Sequence, residues 1–269
     1  MQVLGVDFAF DVTRLLVVGV LAAARVLPIF TLAPFFGGRL VPPLIRIAVS
    51  LAFVAVLFPG IDAATPDLSA LGPVTLGALL FKEVAVGLVL GFLASIPFWA
   101  VEAAGRLADT ARGANMAEVL VPQTGTQSSP LGDLGLQLAI VLFFALGGHL
   151  LFLRSLAASY EAIPLAGFPA VAAFGGVADL AVRATAQLIL STLGLAAPVL
   201  AALFLADLAL GLVNRVSPQI QVYFLGMPAK ALLGVLVFLL ALDGMILAIR
   251  GEFAHALDAV RRAVGLLQP

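Results

Sequence analysis

Ionisable side chains stand in this chain where a membrane would make them costly. Arg14, Arg25, Arg46, Lys82, Glu83, Arg154, Arg183, Asp207 and Asp243 all fall inside or at the edges of long apolar runs. A charge at mid-bilayer costs about 2.5–3.5 kcal/mol on insertion scales, so lipid-facing helices do not carry so many. Such residues can pair with one another, or carboxylates such as Glu83, Asp207 and Asp243 can relay protons. Arg14, Arg46 and Arg183 lie where long side chains reach from segment ends to the interface. Lys82 and Glu83 are sequence neighbours that point to different parts of a helix surface, which favours two separate partners over one self-contained ion pair.

Spacings that would support catalysis are missing. There is no His-Glu-x-x-His pair for zinc, no Gly-x-Ser-x-Gly elbow and no phosphate-cradling Walker loop. His149, in FALGGHLLF, has no nucleophile or carboxylate beside it and reads as a packing or interfacial residue. His255 falls on an amphipathic tail, and nothing aligns Ser217 with Lys230 as a peptidase-like dyad. The absence of cysteine excludes disulfides, iron–sulfur clusters and thiolate zinc sites, and two histidines are too few for a multi-histidine metal centre. A net charge of -1 without a Lys/Arg-rich run speaks against nucleic acid. No enzyme activity and no cofactor are expected.

The elements that must position these residues are set by composition. The 269 residues are 62% hydrophobic and 11% charged, with a mean hydropathy of +1.17, whereas soluble domains carry roughly 25% charged residues. An all-α integral membrane protein is implied, since the runs are continuously apolar and lack the alternation of a barrel. About six runs reach spanning length: Phe10 to Leu32, Leu40 to Phe58, Val74 to Val101, Leu134 to Ala158, Leu180 to Val213 and Ala229 to Ile249. Leu180 to Val213 would be about 50 Å as one straight helix and contains Pro198, so a kinked or partly extramembrane helix is expected there. Asp7 and Asp11, without a basic residue before them, are unlike a signal peptide, and the first run is expected to be retained. Basic residues fall on both sides of a six-span layout, so the positive-inside rule does not orient it. Gly87 and Gly91 form a Gly-x-x-x-Gly step suited to close helix packing.

One segment breaks the apolar pattern. Residues 102–132, EAAGRLADTARGANMAEVLVPQTGTQSSPLG, form a polar stretch long enough to be functional if it is a loop. Arg106, Asp109 and Arg112 have i, i+3 spacing and share one helix face, giving a charged helical base. The tip, with Gly113, Gly125, Thr126, Gln127 and Ser128, is small, polar and uncharged. Met116 begins a short apolar patch.

RVLPIFTLAPFFGGRLVPPLIRIAVSLAF, FKEVAVGLVLGF, GRLADTARGANMAEVLVPQTGTQSSPLG, GGHLLFLRSLAASYEAIP and NRVSPQIQVYFLGMPAK follow one another between Arg25 and Lys230. Together they resemble the SctT/FliR family of type III secretion export-apparatus proteins. The Asp-x-x-Arg-Gly segment followed by TGTQSSPLG is nearer to the injectisome branch (SctT, YscT, SpaR), while GGH is nearer to the flagellar one; the injectisome branch is favoured.

The resemblance implies a non-enzymatic subunit of a helical export gate in the bacterial inner membrane, its helices arranged as hairpins raised out of the membrane plane. Implied partners are SctR/FliP-like and SctS/FliQ-like membrane subunits, SctU/FlhB-like and SctV/FlhA-like export proteins, inner rod or needle subunits, and secreted polypeptides. It also implies a pore plug at about residues 106–129, and contacts to neighbouring subunits are expected at Lys82, Glu83, Arg215, Pro218 and Lys230. A single domain over 1–269 is expected, with an amphipathic cytoplasmic tail at 250–269. The alternative is a secondary solute transporter working through intramembrane carboxylates.

Overall fold

The computed structural model describes residues 12–37, 41–66, 68, 71–114, 129–217 and 222–268. Every regular element among them is helical. In order these are α1 (Val12–Leu32), a 3-10 turn (Pro34–Phe36), α2 (Pro43–Ala64), α3 (Pro73–Arg112), α4 (Pro130–Ala145), α5 (Gly148–Ala162), α6 (Val171–Val216), α7 (Val222–Leu240) and α8 (Leu242–Leu266). Pro43, Pro73 and Pro130 are the first residues of their helices, where the missing N–H loses no intrahelical bond.

Four helices are long and apolar enough to cross a membrane, and up to six spans result if each of two broken pairs counts as one. The helices depart from the expected segments in two ways. Leu134 to Ala158 is not one run: Gly147 takes a left-handed φ of 72° and donates its N–H to the Phe144 carbonyl at 3.1 Å, the geometry that ends a helix. Ala229 to Ile249 is likewise interrupted, at Ala241, where α7 and α8 bend by 59°. Elsewhere the helices outrun their punctuation. Pro59 lies inside α2, Pro97 inside α3 and Pro228 inside α7, since freed carbonyls in apolar helices can be re-satisfied locally. Leu180 to Val213 sits within a 46-residue α6 that continues through Pro198. At 1.5 Å per residue α6 is about 69 Å long, beyond the roughly 40–45 Å of a whole bilayer with headgroups.

The chain forms two compact units, and α3, α6 and α8 each contribute to both. The first comprises Met1–Ser95, His149–Val182 and Leu257–Pro269. A Cβ on Gly87 would collide with the Arg25 carbonyl oxygen, and one on Gly91 would lie 3.0 Å from the Ile29 Cα. The Gly-x-x-x-Gly step therefore seats α3 directly on the α1 backbone. Phe30 stacks on Phe36 with centroids 3.9 Å apart, and Phe35 meets Phe152 edge-on at 5.4 Å.

Around that contact lies a buried charge network. Arg25 and Glu83 are fully buried and Lys82 nearly so. The Arg25 Nε donates to Glu83 Oε2 at 2.5 Å. Its other nitrogens donate to the Ser159 and Ile163 carbonyls at 2.7 and 2.8 Å, and the guanidinium lies 4.2 Å from the Tyr160 ring. Tyr160 donates its hydroxyl to the Ala22 carbonyl at 2.8 Å. Lys82 Nζ donates to the carbonyls of Pro164, Leu165 and Gly167 at 2.9–3.0 Å, capping the turn after α5. It also sits 2.6 Å from Glu83 Oε1, a charge contact outside hydrogen-bond alignment.

One expectation is corrected here. Lys82 and Glu83 do form an ion pair, because helical neighbours can turn their heads toward one another once a third charge draws the carboxylate. Both are enclosed by their own chain.

The second unit comprises Ile96–Gly148 and Arg183–Ala256. Phe98, Phe143 and Phe253 meet pairwise with centroids 5.2–5.3 Å apart. Gln187 Nε2 donates to Glu252 at 3.0 Å, a polar link between α6 and the amphipathic α8.

Replacing Glu83 with Gln strands two buried cations, and an unfolding cost of about 3–5 kcal/mol is expected. Arg14→Gln breaks a partly exposed pair with Asp62 and is expected to cost about 1 kcal/mol. Thermal unfolding of the detergent-purified chain checks the ranking. Gly87→Ala is expected to cost about 1–3 kcal/mol in the same assay, whereas Gly77→Ala, with open space around it, leaves stability equal or slightly raised.

Candidate functional site

The polar stretch becomes a site through what holds its ends. Its first part, from Glu102 to Arg112, is the last three turns of α3, and helix resumes at Pro130; the connector itself is therefore shorter than residues 102–132. Gly113 takes a left-handed φ of 81°. It donates to the Thr110 carbonyl at 3.1 Å, and Ala114 donates to the Asp109 carbonyl at 3.0 Å. This paired bonding closes a helix C-terminus around a glycine. At the other end Ser129 is the N-cap of α4, its Oγ accepting from the Gly132 N–H at 3.1 Å.

Asp109 joins the two ends. Its carboxylate, fully buried, accepts from Ser129 Oγ at 2.6 Å and from the Leu131 N–H at 2.9 Å through Oδ2. Through Oδ1 it accepts from Arg112 Nε at 2.7 Å and pairs with Nη2 at 2.6 Å. One side chain thus neutralises the arginine at the end of α3 and fixes the start of α4. The helices can come this close because two glycines face each other: a Cβ on Gly105 would lie 2.5 Å from the Gly132 Cα. Gly135 continues the contact against Val101.

Arg106 does not join this cluster. It pairs instead with Glu102 one turn earlier, at 2.6 Å, and its stem lies against Gly132. Met116, Gly125, Thr126, Gln127 and Ser128 lie outside the described residues, as does Pro218. Arg215 is exposed at the end of α6. Lys230 binds Asp207 at 2.7 Å, so both of these apolar-run charges are matched within the second unit. Glu102, Gly105 and Gly132 were not singled out from the sequence, and Ser129 only as one of the small polar residues of the stretch. Ser129 carries a readable signal, a serine before a proline and three residues ahead of a helical Gly-Asp; the facing glycines carry none.

The arrangement holds no nucleophile and base in register, and among the described residues no group of three or more His, Cys, Asp or Glu side chains could hold a metal ion. What it can do is mechanical: set where a connector leaves one helix and enters the next.

The family model described as bacterial export proteins, family 1, matches residues 16–256. The chain is 41% identical over 167 residues to Yop proteins translocation protein T of Yersinia pestis, covering 62% of this chain and 63% of that one. It is 31% identical over 246 residues to flagellar biosynthetic protein FliR of Bacillus subtilis, covering 90% and 93%. Surface presentation of antigens protein SpaR of Salmonella typhimurium is 30% identical over 239 residues, covering 86% and 85%. The alignment to the Yersinia relative thus spans less than two thirds of that protein's length. With a family model matched along most of its length, the chain belongs to the bacterial export proteins, family 1, the family of SctT and FliR.

Proposed function

We propose that this chain is a structural subunit of a type III secretion export gate in the bacterial inner membrane, helping to form the entry pore for unfolded secreted proteins. The observation that carries this reading is the match of residues 16–256 to an export family in a chain whose helices are long and apolar enough to span. The injectisome branch is favoured by the identity to the Yersinia and Salmonella relatives. The partners on this reading are SctR-like and SctS-like membrane subunits, with SctU-like and SctV-like export proteins beyond them. Arg215 and Lys230, near the α6–α7 junction, are candidates for contact with neighbouring subunits, and Pro218 belongs to the same proposal.

The connector between α3 and α4 is the proposed plug. Two features support it: the uncharged run from Val119 to Ser128, and anchoring of both ends by Asp109. A seal that must open for a polypeptide works better with weak distributed contacts at the tip than with a buried ion pair there. The charged clasp sits at the base, where it need not break. A solute carrier relying on Glu83 is disfavoured, since that carboxylate is held between Arg25 and Lys82.

Purification from native membranes in mild detergent, followed by mass spectrometry of the intact assembly, tests the subunit reading. Stable association with other small membrane proteins is expected, and a monomer that alone binds and transports a small solute would overturn it. In cells expressing the assembled gate, Asp109→Ala is expected to raise ion leakage, and deletion of residues 113–128 to raise it further. Unchanged conductance in both would sink the plug assignment.

A further inference from the structure

We propose that the groove between α5 and the end of α8, in the first unit, is a binding site for the headgroup of an anionic phospholipid. Its walls are Leu151, Arg154, Ser155 and Ala158 from α5, and Arg261 and Val264 from α8, enclosing an open volume of about 320 Å³. These residues follow helical spacing on each element, so a single face of α5 meets a single face of α8. Arg154 and Arg261 are both exposed, and neither has a hydrogen bond or ion pair to any described residue.

The surrounding charges leave that pair uncompensated. Asp258, one turn before Arg261, is engaged by Arg262 at 2.8 Å. Glu161 lies two turns beyond Arg154 along α5, about 10 Å away by helical rise. Two guanidiniums opening on one groove offer forked donors matched to phosphate oxygens. An isolated phosphate would need nothing more, but the groove is also flanked by apolar surface. Leu151, in the α5 wall, remains 38% exposed, and Val264 lines the α8 wall. A cationic pair beside the apolar wall of Leu151, Ala158 and Val264 suits an amphiphile whose phosphate meets the arginines while its chains lie along that wall. Basic pockets between membrane helices bind anionic lipid headgroups in this way. An acidic peptide would gain from the arginines and little from the apolar wall.

The test uses the full chain purified in detergent and titrated with phosphatidylglycerol or phosphatidylcholine, bound lipid being counted by native mass spectrometry. Saturable binding of phosphatidylglycerol, at least several-fold tighter than phosphatidylcholine, is expected. In the Arg154→Gln/Arg261→Gln variant that affinity is expected to fall by about thirtyfold, while Arg262→Gln, whose charge already faces Asp258, changes it little. The double lysine variant, which keeps the charge, is expected to retain an intermediate affinity, and unchanged thermal unfolding of each variant excludes loss of fold. Equal binding of the two lipids, or full phosphatidylglycerol binding by the double glutamine variant, would overturn the proposal. So would displacement of the lipid by millimolar inorganic phosphate, which would mark a free-anion site, or arginine-dependent capture of poly-glutamate in preference to phosphatidylglycerol.

Discussion

Fully buried Arg25 and Glu83 impose the constraint on which much of the first unit depends. A guanidinium withdrawn from water must have its donors satisfied, and here they reach α3 through Glu83 and the end of α5 through the Ser159 and Ile163 carbonyls. Meeting that requirement fixes three chain segments at once. The glycine at 87 follows from it, since α3 must approach the Arg25 backbone closely for Glu83 to reach the guanidinium. Lys82 extends the same network to the turn at 164–167. A chain this apolar has few polar groups with which to specify a single packing, and concentrating them in one network gives α1, α3 and α5 a defined register.

Asp109 applies the same chemistry to a different end. A buried carboxylate again satisfies an arginine and backbone or hydroxyl donors, but the segments it joins are the two ends of a connector. Removing the charge would leave Arg112, Ser129 and the Leu131 N–H to find other partners in a site closed by facing glycines. Stiff ends and a middle whose one charge is Glu118 are a physically coherent arrangement for a segment that has to keep its place yet yield.

Much of the helix content was legible from apolar run length, because spanning runs admit few alternatives to helix. Boundaries were less so. Interior prolines at 59 and 228 suggested ends that the helices pass through, and Gly147 ended one that composition alone would continue. The polar base at Arg106, Asp109 and Arg112 could be placed on one helix face by spacing, but spacing could not tell that Asp109 would bond across to Ser129 while Arg106 turned back to Glu102. Long-range pairing of Arg25 with Glu83, 58 residues apart, was equally invisible; the surplus of charge in apolar runs showed only that partners were needed.

Arg25, Glu83 and Lys82, charges set in apolar helices, are matched within the chain and hold its fold. A double-mutant cycle on Arg25→Met and Glu83→Leu, read by unfolding of the purified chain in detergent, tests this matching most directly. Matching within the chain predicts that the double variant is markedly less destabilised than the sum of the single variants, with a coupling at the upper end of the roughly 0.5–3 kcal/mol seen for interacting residues. Additive effects, with no coupling between the two positions, would contradict it.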